Sequence, residues 1–267
     1  MSHSSMGSLN NAPLAYVLMQ AVFQPILSIE GKMPEIQSAL KADYPRMNTT
    51  NPVINIQIND GSEVPITSPN IWEFTNANKT EGIRISQNMI VFHATEYKNY
   101  SSFESAAKNA MLIITNIIGE LLISRLGMRY IDYILPEQPI SLEQMIESSI
   151  KHAPALELGE RNAVGFSLLQ YNMENGTLNI KYSYGMGEPP FPQELQPLTL
   201  KESQIMEKAK GFRSDTALLD FDRHMEFDEE MEVINIMKNY SSMHNDLAKA
   251  FKGITTDAAK TYWKGAL

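Results

Sequence analysis

The residue types best able to do chemistry fall on two stretches far apart in the chain. Residues 121–135 read Leu-Leu-Ile-Ser-Arg-Leu-Gly-Met-Arg-Tyr-Ile-Asp-Tyr-Ile-Leu. In a β-strand successive side chains point to opposite faces. One face then holds Ile123, Arg125, Gly127, Arg129, Ile131 and Tyr133, and the other holds Leu122, Ser124, Leu126, Met128, Tyr130, Asp132 and Ile134. Two guanidiniums on either side of a glycine can clamp a carboxylate or phosphate. Arg125 and Arg129, with Tyr130 beside them, are therefore candidates for holding a small anionic ligand. The competing expectation is that they pair with surface Asp and Glu, as charges on a half-exposed strand commonly do. Gly127 also fits a β-bulge.

The second stretch is Leu218-Leu219-Asp220-Phe221-Asp222-Arg223-His224. On a strand, Asp220, Asp222 and His224 share a face, and two carboxylates with an imidazole can bind a divalent metal or move protons. Alternate residues lie about 7 Å apart along a strand, so all three reach one ion only if the strand bends. A solvated strand face is the competing expectation. His93, His152 and His244 have no partner at ligand spacing, and no phosphate-binding loop, zincin helix or nucleophile elbow is present. The glycines at 185 and 187 precede Pro189 and Pro190. Prolines withhold the N–H groups a phosphate cradle requires.

Composition narrows the classes. The 267 residues are 43% hydrophobic and 20% charged, with a net charge of -9 and no cysteine. Disulfides, thiolate metal sites and thiol nucleophiles are excluded. The negative charge argues against nucleic acid, whose binding rests on phosphate neutralisation. No apolar run approaches the ~18 residues that span a bilayer, and the N-terminus lacks a basic start and an apolar core. The expectation is a cytoplasmic protein with no membrane contact, no cofactor and a disordered leader over residues 1–11.

The elements that must position these residues follow from periodicity and turn signals. A long strand spans 14–29, and Pro34 opens a helix carrying Met33, Ile36, Leu40 and Tyr44. Short strands follow at 53–58, 71–75, 82–86 and 89–95. Ser101-x-x-Glu104 reads as a capping box starting a helix that ends at Gly119. Ser141-x-x-Gln144 caps another. Strands at 164–173 and 177–184 flank a turn at 174–176. The proline-rich segment 185–198 is a functional loop or a covering strap. A short helix capped at Thr199, a strand over 214–225, a long helix from about 228 to 252 and a final helix from 255 or 256 complete the chain.

The long helix repeats Val233, Met237, Tyr240, Met243, Leu247 and Phe251 at close to heptad spacing. This stripe either packs on the sheet or forms a dimer or partner interface. Residues 12–120 and 121–267 share an order of long strand, short helix, several strands and long helix, so the expected fold is α+β. Two similar β-α-β(3–4)-α halves would form a mainly antiparallel sheet with helices on one side. That order resembles the tandem halves of the TATA-binding-protein-like fold, without itself licensing DNA binding.

Ala12-Pro13-Leu14 leads into a strand ending Phe23-Gln24-Pro25-Ile26. With Arg125-x-Gly127-x-Arg129-Tyr130-Ile131-Asp132 and Leu219-Asp220-x-Asp222, the chain resembles a sporadically distributed family of uncharacterised bacterial proteins. The resemblance would cover nearly the whole chain, and the Arg-x-Gly-x-Arg-Tyr segment is its most specific part. It implies a bacterial protein without assigned catalytic residues, and marks Arg125, Arg129, Tyr130 and Asp220 for testing.

Three functions are consistent with these readings. The first is a non-enzymatic interaction or regulatory protein, acting through protein–protein contacts as a homo-oligomer or with a protein partner. The second is a metal- or anionic-ligand-dependent enzyme using Asp220, Asp222 and His224 with Arg125 and Arg129, which requires both sets on one side of the sheet. The third is sequence-specific nucleic-acid binding by a saddle-like sheet.

Overall fold

The architecture is known from a computed structural model, which describes residues 12–50, 53–57, 63–67, 69–150 and 164–265. The expected leader, residues 1–11, and His152 lie outside the described residues.

Strand β1 (Leu14–Phe23) is followed by α1 (Ile29–Leu40), β2 (Arg46–Thr50), and the ribbon β3 (Val53–Gln57) and β4 (Glu63–Thr67). Then come β5 (Ile71–Thr75), β6 (Glu81–Ser86), β7 (Met89–Ala94) and α2 (Tyr100–Ile118). The second stretch holds β8 (Leu121–Ile134), α3 (Leu142–Met145), β9 (Gly165–Met173), β10 (Gly176–Met186), α4 (Gln204–Ala209), β11 (Asp215–Met231), α5 (Val233–Ile254) and α6 (Asp257–Trp263).

Nine strands form one sheet in the order β2-β5-β6-β7-β1-β8-β11-β10-β9, with every neighbouring pair antiparallel. The fold is α+β, with the long helices on one side of the sheet. The central β1–β8 pair joins strands of the first stretch to those of the second, so the sheet is continuous across residue 120.

The helix side is the main core. Met19, Ile83, Met128, Leu219 and Phe221 point into it from the sheet, beneath Ile36 of α1, Ile114 of α2 and Met243 of α5. The stripe Val233, Met237, Tyr240, Met243, Leu247 and Phe251 is buried in this core, none of its residues more than 7% exposed. It is therefore not a surface for a partner. A spacing of 3 and 4 buries a helix on its own sheet as readily as on another chain.

On the opposite face, residues 187–203 cross the sheet as a strap. Phe191 packs edge-on to Tyr16 of β1, with ring centroids 5.6 Å apart. Arg84 of β6 donates to the hydroxyl of Thr199 at 2.9 Å, and Thr95 donates to the carbonyl of Lys201 at 2.7 Å. With α4, the strap encloses a second, smaller core around Tyr16, Ile131, Tyr133, Leu200 and Leu218.

Several boundaries differ from the sequence reading for definable reasons. α1 begins at Ile29, not at Pro34, because buried Ile29 and Met33 continue the stripe of Ile36 and Leu40 through the proline. The cap of α2 is Asn99, whose side chain accepts from the N–H of Ser102 at 2.9 Å, so Ser101 is not the cap. Ser203, not Thr199, caps α4, since Thr199 is engaged by Arg84. β11 runs on to Met231, where Glu229–Met231 pair with Leu121–Ile123, so α5 begins at Val233. The capping box at Ser141 and Gln144 is present.

Candidate functional site

Strand β8 does not alternate uniformly. Val22 pairs with Arg125 but Phe23 pairs with Ile123, and on the other edge the register slips between Glu226 and Glu229. The bulge therefore lies at Ser124, not at Gly127. Leu121 and Ile123 join the helix-side core before it, as do Leu126, Met128 and Tyr130 after it. Arg125, Gly127 and Arg129 consequently share the strap face, while Ile123 does not.

Asp222 stands opposite Arg129, His224 opposite Gly127, and Glu226 opposite Arg125. The arginines and the Asp220/Asp222/His224 set thus lie on the same side of the sheet. Their chemistry is divided, however. Arg129 is buried and donates from Nε to Asp220 Oδ1 at 2.7 Å and from Nη2 to Asp220 Oδ2 at 2.6 Å. The same Nη2 reaches Glu194 of the strap at 2.7 Å, and Lys181 lies 3.6 Å from Glu194. Burial alone would lower the guanidinium's pKa, but the hydrogen bonds it donates to Asp220, and the charge of that carboxylate, outweigh it and hold Arg129 firmly ionised. Burial would raise Glu194, yet the Arg129 hydrogen bond keeps its carboxyl below the ordinary value.

This bidentate pair consumes one arginine of the expected clamp and one carboxylate of the expected metal set. Among the described residues, no group of three His, Asp or Glu is placed to hold a metal ion. The Asp220/Asp222/His224 set does not form a metal site because the pleat spreads the side chains and both oxygens of Asp220 are already bound by Arg129.

Tyr130 lies on the opposite, helix face. Its hydroxyl meets Tyr97 Oη at 3.3 Å and His244 Nδ1 at 3.0 Å, and His244 stacks on Tyr100 with centroids 3.9 Å apart. Tyr100 contacts Glu104 at 3.2 Å and Ser241 at 3.2 Å, and Ser241 donates to Glu104 at 2.7 Å. These contacts tie α2 to α5 over the centre of the sheet. Tyr130 is thus separated from Arg125 and Arg129 by the sheet itself, and an anion site combining all three does not exist.

Beside this network lies a group the sequence reading passed over. Asp132 is 5% exposed on the helix face, with neither a hydrogen bond nor an ion pair among the described residues. Burial, with the charge of Asp220 adding to it, pushes its carboxyl up to about 8, so it is neutral at pH 7. A polar residue on the otherwise apolar series Leu126, Met128, Tyr130 and Ile134 was the available signal. Tyr97 also lines a cleft of about 570 Å³ with Leu14, Phe103, Lys98, Tyr133 and Trp263.

A second buried polar group sits under the strap. Glu73 accepts from Arg84 Nε at 3.0 Å and from the Thr199 hydroxyl, and His93 Nδ1 meets Tyr16 Oη at 2.9 Å. Burial would raise Glu73, but hydrogen bonds from His93 and Thr199 and the Arg84 charge bring it down to about 2. This cluster fastens the strap, with His93 Nε2 3.3 Å from the Glu73 carboxylate.

The remaining feature is the sheet edge. β9, Gly-Phe-Ser-Leu-Leu-Gln-Tyr-Asn-Met, pairs only with β10, leaving its outer backbone groups unpaired among the described residues. Phe166 is 62%, Leu168 50% and Tyr171 52% exposed, and the preceding Val164 is 82% exposed. No helix is long and apolar enough to cross a membrane among the described residues.

The sequence matches no family model, and neither a curated protein nor a solved structure matches it.

Proposed function

We propose that this chain is an interaction protein that works by self-association through β9, two copies pairing edge to edge into one continuous sheet. The observation carrying this reading is the undefended character of that edge. Exposed edge strands are normally blunted by short length, charge, proline or bulges, because an open row of N–H and C=O groups recruits further strands. β9 has nine residues, no charge and no proline, and its pairing with β10 is unbroken. The opposite edge, β2, has five residues and carries Arg46. The asymmetry supports a docking function for β9.

A second copy fits this edge because antiparallel pairing of identical strands is isologous. In the register centred on Ser167, Phe166 of each copy stands opposite Leu168 of the other, covering both exposed side chains on one face. Cross-strand aromatic–aliphatic pairs contribute about 0.2–1 kcal/mol each beyond the backbone bonds. The strand order supports the tandem-halves reading as well, since β1 and β8, each the first strand of its stretch, meet at the centre.

Sedimentation equilibrium over roughly two decades of protomer concentration tests the proposal. The expected result is a reversible monomer–dimer equilibrium that Phe166→Lys with Leu168→Lys shifts to monomer, the far-ultraviolet spectrum being unchanged. A wild-type chain that stays monomeric, or a double variant that dimerises equally well, overturns it.

A further inference from the structure

Every described arginine on the sheet that is wholly or partly buried holds a carboxylate, with one exception. Arg84 is paired with Glu73 at 3.0 Å, Arg129 with Asp220 at 2.6 Å and Arg223 with Asp246 at 3.4 Å. Among the described residues Arg125 has no ion pair, and its Nε is buried without a hydrogen-bond partner. A desolvated guanidinium donor left unmatched costs free energy that a bound anion would recover.

The surroundings of Arg125 are those of a small pit. Gly127, two residues along the same face, contributes no side chain, and a Cβ built there would find its nearest neighbour, Gln20 Oε1, at 3.8 Å. Gln20 borders Gly127 from β1 but its amide donates to Met89 Sδ at 2.9 Å, so it walls the pit without donating into it, and His224 faces Gly127 from β11. His224 Nδ1 lies 3.3 Å from the hydroxyl of Thr177. If the threonine donates, the neutral ring presents Nε2–H as a donor. Burial, followed by the charge of Arg125, holds the His224 pKa below its ordinary value.

The acidic neighbours do not fill the site. Glu226 stands opposite Arg125, yet its side chain is 74% exposed and lies 3.9 Å from His224 Nε2 rather than on the guanidinium. Asp222, two positions further along the same face beyond His224, stands opposite Arg129. The strap's ionic contact to β8 is at Arg129 through Glu194, and its apolar contacts are at Ile131 and Tyr133, leaving Arg125 beyond its reach.

We propose that Arg125 and His224, arranged around Gly127, bind a small oxyanion, carboxylate or phosphate, with the guanidinium as the principal donor. Arg129 does not share the ligand, because Asp220 and Glu194 already occupy it.

The test is a titration of the whole chain with inorganic phosphate and, separately, acetate at constant ionic strength, read on the ring resonances of its five histidines. His224→Gln assigns the relevant signal. The expected result is a saturable shift of His224 alone, with its pKa rising as the anion binds. Arg125→Gln should weaken binding by about tenfold to a hundredfold, the range for a hydrogen bond to a charged group. Gly127→Val, which fills the pit while keeping the guanidinium, should weaken it as well and serves if the arginine variant fails to fold. Tighter phosphate binding assigns a phosphate ligand, and tighter acetate binding a carboxylate. A shift that does not saturate, is shared by all the histidines, or survives both substitutions overturns the proposal.

Discussion

Replacing Asp132 by asparagine should stabilise the protein, and should do so increasingly as the pH rises. The carboxyl is 5% exposed and is pushed from 3.8 in the unfolded chain to about 8 in the folded one, first by burial and then by Asp220. A folded-state pKa above the unfolded value means that the native protein binds the extra proton between these limits. Stability then falls with rising pH at up to about 1.4 kcal/mol per unit. Below pH 3.8 the group costs nothing of this kind, and above pH 8 the loss is complete. Four units at that slope make the full loss on the order of 5 kcal/mol, an upper figure because buried sites relax. Between pH 5 and 7 alone, the loss is about 2–3 kcal/mol.

Asparagine has nearly the same shape and no proton to lose, so the wild-type minus Asp132→Asn difference isolates this residue from every other titrating group. Urea unfolding of both proteins at pH 5, 6, 7 and 8, with m-values checked for equality, supplies that difference. The expected outcome is a gap that widens steadily with pH in favour of the asparagine variant. Parallel stability curves, or a wild type that gains on the variant as pH rises, would refute the placement of Asp132 as an unpartnered acid in an apolar setting.

The buried pair of Arg129 and Asp220 makes a contrasting prediction. Asp220→Leu or Arg129→Met alone should cost about 3–5 kcal/mol by leaving a charge unmatched, whereas the double variant Arg129→Met with Asp220→Leu should cost far less than the two together. Equilibrium unfolding in a double-mutant cycle reads the coupling, and additive costs would show that the two do not act as a pair. Met243→Ala should destabilise by about 2–5 kcal/mol, since Met243 is fully buried between α5 and the sheet. A change below 1 kcal/mol in the same assay would contradict that burial.

Much of the frame is legible in the sequence because local signals and tertiary packing agree there. The Asn175-Gly176 turn between β9 and β10, the capping box at Ser141 and the glycine stop at Gly119 are each fixed by backbone chemistry within a few residues. The errors occur where distant contacts decide. Periodicity alone could not tell that β11 continues through Asp228–Met231, an acidic run, because that stretch is held by pairing with Leu121–Ile123. Nor could it locate the bulge at Ser124, which turns Leu121 and Ile123 to the helix side, away from the face of Arg125, without any glycine or proline at that position to mark it.

The candidate site was partly legible for the same reason. Strand alternation placed Asp220, Asp222 and His224 together, and the structure keeps them together. What alternation cannot supply is the strap, which brings Glu194 to Arg129 from 65 residues away and so removes that arginine from ligand binding. Asp132 and the Tyr97–Tyr130–His244 contacts depend on α2 and α5 meeting over the sheet, a juxtaposition no spacing in the sequence encodes.

The two proposals occupy one sheet and still act separately. In a dimer joined through β9, seven strand-to-strand steps separate the two copies of β8, on the order of 30 Å at the usual strand spacing. Each step also turns the sheet by roughly 20°, so the two Arg125 pits are rotated by well over 90° relative to one another. A small oxyanion cannot bridge sites so oriented, and neither pit contains a β9 residue. Anion binding should therefore run at one per chain with the same affinity in monomer and dimer, and Phe166→Lys with Leu168→Lys should leave it intact. On these two proposals, self-association would supply the assembly, while Arg125 would supply a chemical sensitivity that each chain carries on its own.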